Sequence, residues 1–189
     1  MAWVWLPVAY LLGSIPSAHI FAGLQGKKIT EEGTGNVGAM NTLRSVSVLA
    51  GVATALVDLA KGYLAVWLAH RFGSDTLAAW AAVAAVLGHN YMIFLGFKGG
   101  KGLAVAAGAF LLLAPVSILW TFGVLVVATL ILRDANVGAA VAAAAFPFIL
   151  AGLEGAGPWF WVGLATALIV LIKHTRDFRA YRAGRRELW

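Results

Sequence analysis

A polytopic, all-α integral membrane protein with seven transmembrane helices is the fold class this sequence predicts, and three observations predict it. Of its 189 residues 61% are hydrophobic and only 12% charged, with a mean hydropathy of +0.86. A soluble domain this small keeps too much surface exposed to hide that much apolar area. The apolar residues fall in long uninterrupted runs, which suits helices that satisfy their own backbone inside a bilayer and not the alternating pattern of a β-barrel. The basic residues collect in alternate loops, as they do when one side of a membrane faces the cytoplasm.

The first run, residues 3–24, holds Gly13, Ser14 and Pro16, which predict a kink or loosened turn within it. It lacks a basic leading segment and reads as a first span, not a cleaved signal peptide. Residues 27–44, KKITEEGTGNVGAMNTLR, form a polar, glycine-rich loop. The second span covers 46–69, with Asp58 and Lys61 in its middle; three residues apart, they share a helix face. A polar turn at 70–76 leads to a third span at 77–95. Residues 103–132 are apolar but for the break that Pro115 imposes. A turn at 133–136, an Ala-rich span at 137–153, a turn at 154–158 and a last span at 159–172 complete the membrane part, and the tail from Lys173 is basic.

Pro115 decides the count. Splitting 103–132 there gives seven spans and places Lys27, Lys28, Arg44, Lys98, Lys101, Arg133 and the tail on one side, with Arg71 on the other. Keeping one helix gives six spans and turns Arg133 and the tail outward. The seven-span reading puts the N-terminus outside and the C-terminus in the cytoplasm, with the shorter spans shielded by neighbours or partly re-entrant. The polar segments 27–44, 96–102 and 133–136 and the tail then share the cytoplasmic face, where they can converge on one site. No internal repeat or linker composition is visible, so residues 1–189 read as a single multi-pass domain of the cell membrane.

There are no cysteines, which rules out disulfides, thiolate metal sites and a Cys nucleophile. The net charge of +6 points to anionic lipid beside the loops and not to nucleic acid. The four histidines and eight acids show no metal-ligand spacing, and no Gly-x-Ser-x-Gly elbow is present.

Two segments carry the chemistry. Residues 88–108, GHNYMIFLGFKGGKGLAVAAG, set Lys98 and Lys101 among Gly96, Gly99, Gly100 and Gly102, with His89 upstream. Glycines allow backbone N–H groups to approach an oxyanion and lysines supply positive charge, so a phosphate is the expected ligand. The spacing is not that of a Walker A loop, and the plainer reading is two topogenic lysines. Residues 33–41, GTGNVGAMN, match G-x-G-x-x-G, but without a preceding strand the dinucleotide reading fails. A donor-rich turn leading into a helix remains, suited to an anion; the alternative is a plain interhelical loop. Asp58 and Lys61 are either a structural ion pair or the border of a substrate pocket. His174, at the inner end of the last span, is either an interfacial histidine or a phosphate ligand and proton carrier. Arg176, Arg179, Arg182 and Arg186, with Phe178, Tyr181 and Trp189 alongside, read as a helical stripe anchored on anionic headgroups.

Taken in order, GSIP (13–16), GTGNVGAMN (33–41), DLAKG (58–62), GH (88–89), FKGGKG (97–102) and His174 resemble the bacterial acyl-phosphate:glycerol-3-phosphate acyltransferase (PlsY) family over essentially the whole chain. The resemblance implies a seven-helix membrane enzyme with its active site facing the cytoplasm. It would transfer a fatty acyl group from acyl phosphate to the 1-hydroxyl of glycerol 3-phosphate, giving lysophosphatidic acid and phosphate at the first step of phospholipid synthesis. No cofactor or metal is implied. The implied partners are acyl phosphate, glycerol 3-phosphate, membrane lipids and an upstream enzyme that forms the acyl phosphate. The same resemblance places Thr34, Gly35 and Asn36 near the acyl-transfer centre and Arg44, Lys101 and His174 on phosphate groups. Asn41, Lys61, Lys98, Gly99, Gly100, Gly102, Asn136 and Asp177 join them as substrate-binding candidates. Proton removal from the acceptor is expected to be substrate-assisted, with His174 the rival base. Residues 88–108 and 33–41 would then form opposite walls of a two-phosphate site, with Lys101 the principal lysine and Lys98 setting topology.

The chain departs from the family pattern at Thr34 (commonly serine), Met40 (threonine), the residues after His89 (which lack the usual proline), Asn136 (serine) and Asp177 (asparagine). The last two bear on the acceptor contacts, and an altered acceptor is one alternative. A transporter of a phosphorylated solute is another, disfavoured by a nearly uncharged outer side.

Overall fold

The computed structural model describes residues 2–185, and every regular element in that range is a helix. Arg186 and Trp189, placed by sequence on the basic stripe, lie outside the described residues. The chain gathers into two compact units, 1–109 and 110–189. The boundary falls inside one continuous apolar helix, so composition carries no mark of it, which is why the sequence reads as one domain.

In the first unit a 3-10 turn (Ala2–Val4) leads into α1 (Trp5–Gly13) and α2 (Ser17–Gly23), separated at Ser14, Ile15 and Pro16 where the kink was expected. Pro16 lacks an N–H and disfavours helix at the residue before it. The polar groups at the break find partners elsewhere: Ser14 Oγ donates to Tyr10 O at 2.9 Å and to Gly88 O at 3.2 Å, and Lys61 Nζ donates to Ile15 O at 2.8 Å. The loop that follows contains a short helix, α3 (Ala39–Ser45), that hydropathy does not predict. Helix α4 (Val48–Phe72) runs slightly later than the expected 46–69. Ser47 caps its start, accepting from Ala50 N at 3.2 Å, and Gly73 ends it. The expected turn at 70–76 therefore shrinks to Gly73 and Ser74 before α5 (Asp75–Asn90). A 3-10 turn (Ile93–Leu95) and the lysine-glycine segment lead to α6 (Leu103–Leu113).

Helix α1 packs on α4 and α5, and α2 packs on α3 and α4. Close approach takes the place of a hydrophobic drive between membrane helices. At the crossing of α4 and α6, a side chain on Gly62 would overlap Val105 O and one on Gly108 would overlap Leu59 O. Asp58 and Lys61 are both buried and form an ion pair of 2.9 Å, so the shared helix face is as the spacing required.

The second unit begins with the end of α6, followed by α7 (Pro115–Leu132), α8 (Ala135–Leu153), α9 (Pro158–Lys173) and α10 (Thr175–Arg182). Pro115 and Pro158 each occupy the first helical position, where a missing N–H costs nothing. The break at Pro115 is thus real. Arg133 adopts the left-handed conformation (φ 54°) that closes α7, and Asp134 caps α8 by accepting from Val137 N at 2.9 Å. Helices α7 and α8 form an antiparallel hairpin, and α9 returns along α8 with Gly163 against Pro147. Helix α10 bends away from α9 by 53° and packs on α8 and α9.

Five helical stretches are long and apolar enough to cross a bilayer among the described residues: Ala2–Gly23, Val48–Phe72, Asp75–Leu95, Pro115–Leu132 and Ala135–Leu153. The bent pair α9 and α10 makes a sixth if counted as one, while α6, with 11 residues, is shorter than a span requires. Helix α7 turns Leu119, Trp120, Phe122, Leu130 and Ile131 outward, the surface expected of a helix solvated by lipid.

Candidate active site

The two polar segments of the first unit meet at one end of its helix bundle. Ile29 and Val37 of the first loop are buried with Ala18 and Ala22 of α2 and Met92 after α5, forming an apolar floor beneath both segments. Above it, the space a Gly100 side chain would occupy is bounded by His89 Nε2 and by Val37 O at 2.7 Å. The expected apposition of 33–41 and 88–108 is therefore present within this unit.

The first wall is a turn built on one side chain. Asn41, buried on the first turn of α3, accepts from Thr34 N at 3.0 Å and from Ser45 Oγ at 3.4 Å through Oδ1. Its Nδ2 donates to Glu32 O and to Asn36 O, each at 3.0 Å. Both amide hydrogens and the carbonyl are engaged, so Asn41 organises the turn. Gly33 has φ 54°, and a side chain there would strike Asn41 Oδ1 and Ser45 Oγ. The result presents Thr34 outward, with Gly35 and Asn36 half-buried beside it. Arg44 is exposed in the last turn of α3, whose C-terminal carbonyl at Ser45 accepts from Lys27 Nζ at 2.6 Å. Lys27 thus combines a topogenic charge with a helix-capping bond.

The second wall lies on the end of α5. Gly96 and Phe97 both take left-handed backbone angles (φ 59° and 63°), folding the chain back. Gly100 N–H then donates to His89 O at 3.1 Å, and a side chain on Gly99 would collide with His89 O and with the Asn90 backbone. The expectation from sequence was that these glycines open backbone N–H groups to a ligand. The structure gives Gly99 and Gly100 a different reason, close packing of the loop against its own helix. Lys98 is exposed, and Lys101 is half-buried just ahead of α6. Gly102 (φ 84°) fits against Asn90 Oδ1.

Lys61, a substrate-binding candidate from sequence, lies deeper. Its ammonium meets Asp58 and Ile15 O and is buried with them. Ser17, which sequence reading passed over, also donates to Asp58. A serine just after a proline break and an acid inside an apolar run were the signals, but nothing in either spacing links them.

In the second unit, His174 sits at the junction of α9 and α10 with no exposed surface. A carbonyl only accepts, so its Nδ1–H donates to Val170 O at 2.9 Å. In the neutral ring this leaves Nε2 as the nitrogen with a lone pair. Asp177 follows in the first turn of α10, where an acid suits the helix dipole, and Asn136 lies half-buried in the first turn of α8. The antiparallel run of α8 and α9 brings the start of one and the end of the other to the same end of this unit. Arg176, Arg179 and Arg182 are exposed along α10.

Known proteins match this chain along nearly its full length. The family model described as glycerol-3-phosphate acyltransferase matches residues 3–184. A glycerol-3-phosphate acyltransferase of Geobacter sulfurreducens is 40% identical over 178 residues, covering 94% of this chain and 92% of that protein. Glycerol-3-phosphate acyltransferase 2 of Moorella thermoacetica is 42% identical over 158 residues, 83% of this chain and 80% of its own. Among solved structures, PlsY (YgiH), an integral membrane glycerol 3-phosphate acyltransferase, is similar in its glycerol 3-phosphate form with a TM-score of 0.91 at 28% identity, covering 98% of this chain and 94% of that one. Its lysophosphatidic acid form gives a TM-score of 0.89 with the same identity and coverage.

Proposed function

The chain belongs to the glycerol-3-phosphate acyltransferase family, and from that premise we propose that it transfers a fatty acyl group from acyl phosphate to the 1-hydroxyl of glycerol 3-phosphate. The acceptor oxygen bonds to the acyl carbon, the bond from that carbon to the phosphate oxygen breaks, and phosphate leaves with the electron pair. The hydroxyl proton goes to a phosphate oxygen. Acyl phosphate is already activated, so what the protein supplies is position and charge.

The apposition of Val37 and Gly100 carries this reading. It sets a hydroxyl- and amide-bearing turn (Thr34, Gly35, Asn36) against a lysine-bearing one (Lys98 to Gly102) at a single end of the first unit. Such a pairing suits a substrate that presents an acyl carbonyl beside a phosphate. Arg44 and Lys101 are assigned to phosphate oxygens, and Gly99, Gly100 and Gly102 to holding the second turn in shape. Asn41 and Lys61 are assigned positioning roles. Lys98 is assigned to topology. In the second unit His174 is assigned to a phosphate through Nε2, which donates there only in the doubly protonated ring because Nδ1–H is given to Val170 O, with Asn136 and Asp177 as acceptor contacts. Purified protein should release phosphate only when acyl phosphate and glycerol 3-phosphate are both present, and lysophosphatidic acid should form in equal amount. Failure to form it from that pair sinks the reading.

His174 separates two routes for the proton. Glutamine can donate to a phosphate but cannot take up a proton. If the substrate carries the proton away, His174→Gln keeps an unchanged pH profile for kcat and raises KM. A large fall in kcat with a flattened profile would make the histidine the base.

Orientation follows from charge. Within the first unit, Lys27, Lys28, Arg44, Lys98 and Lys101 lie at the end that carries the two walls, and Arg71 lies at the other. We assign the basic end to the cytoplasm, count α6 as a short seventh span and place the N-terminus outside. The chain has no cysteine of its own. A single cysteine at Gly73 should therefore be labelled by an impermeant thiol reagent in intact cells, and one at Gly26 should not.

A further inference from the structure

Substrate binding leaves one buried carboxylate of the first unit without a purpose. Asp58 lies in the middle of α4 and is 2% exposed. Its Oδ1 accepts from Ser17 Oγ of α2, pairs with Lys61 Nζ at 2.9 Å and stands 3.6 Å from Nδ1 of His89 at the end of α5. Lys61 extends the cluster to Ile15 O at the break between α1 and α2. All four side chains are buried. Ion pairs at this depth are poor sources of stability, since apolar residues of similar volume commonly do as well. A third ionisable group beside the pair asks for a further reason.

His89 supplies it. The main-chain carbonyl of His89 receives the Gly100 N–H at 3.1 Å, and its Nε2 fills the space that a Gly100 side chain would need. Gly99 rests on the same carbonyl. The lysine-bearing turn is therefore laid directly on this histidine, ring and backbone together.

We propose that Asp58 is a positioning residue of the acyltransferase site, acting through His89 on the Gly99–Gly100 turn and so on the direction of Lys101. The inference rests on the acyltransferase reading above. Asp58 joins α2, α4 and α5 and holds the His89 ring in one orientation. Without that charge the ring is released, and the turn that packs on it shifts. Misplacing a charge-stabilising group by about 1 Å costs on the order of 100-fold in rate.

The test uses full-length protein in detergent, with kcat, KM for glycerol 3-phosphate and the thermal midpoint measured for each variant. Asp58→Asn combined with Lys61→Met removes both charges together and leaves no lone buried ion. His89→Gln leaves the ion pair intact. Each is expected to lower kcat/KM by about tenfold or more, with a midpoint within roughly 5 °C of wild type. The variant carrying all three changes should be no worse than His89→Gln alone, because the effect of Asp58 runs through the histidine. Wild-type kcat and KM in His89→Gln overturn the proposal whatever the Asp58 variant does. So does a triple variant whose loss is the product of the two separate losses. Inactive wild-type protein strikes instead at the acyltransferase reading.

Discussion

Lys101→Ala is expected to lower kcat/KM by on the order of 10²–10³-fold while the protein stays folded. Negative charge grows in two places during the proposed transfer, on the acyl oxygen and on the departing phosphate. A cation already fixed in a site shielded from bulk water stabilises that charge far more than a mobile one in solvent. Lys101 fits this description better than its neighbour. It is half-buried, it follows a turn whose course is set by Gly99 and Gly100 against His89 and Asn90, and it lies just ahead of α6 with Gly102 between. Lys98 is exposed in the same turn, so Lys98→Ala should change kcat/KM less than about fivefold, in keeping with exposed charges that interact weakly. Lys101→Arg should rescue poorly, because a planar guanidinium is not a substitute for a compact ammonium in a shaped site. Phosphate release measured across these three variants checks the ranking. A Lys101→Ala enzyme within threefold of wild type (a difference of about 0.65 kcal/mol) would remove the residue from the mechanism.

Asn41→Asp carries the second large effect, and here stability and activity fall together. The substitution keeps shape and volume almost unchanged. It replaces the two donors aimed at Glu32 O and Asn36 O with an oxygen that repels both carbonyls, and it buries a charge. A buried polar group without its partner costs about 1–3 kcal/mol, and more when it is charged. The loss should exceed about 3 kcal/mol and appear as a lowered thermal midpoint of the purified protein. Because Asn41 also takes the N–H of Thr34, the same change loosens the turn that presents Thr34, Gly35 and Asn36. Activity should drop even at temperatures where the variant remains folded. Asn41→Ala removes the bonds without adding charge and should fall between the two. An Asn41→Asp protein as stable and active as wild type would show that the turn holds its shape without this amide.

Sequence and structure divide this molecule along a physical line. Hydropathy, proline positions and charge are properties of neighbouring residues. From them alone came the membrane class, the breaks at Pro16 and Pro115, the shared face of Asp58 and Lys61, and the two segments carrying glycine and basic charge. The ordered motifs pointed to the family as well. The turn at 33–41 reads as leading into a helix, but a separate α3 is not legible because a seven-residue helix in a polar loop has no long apolar face to announce it. What no local pattern contains is which distant groups meet. That Val37 closes on Gly100 and that Ser17 and His89 gather on Asp58 depend on how α2, α4 and α5 pack, whereas Asn41 is engaged by the turn that its own loop adopts. The glycines of the KGGKG turn show the distinction best. Sequence marked them as exceptional and suggested room for a ligand. Only the tertiary structure showed that the room at Gly99 and Gly100 is filled by the protein's own histidine and helix end, because steric exclusion is decided by what lies opposite a residue and not by what lies beside it in the chain.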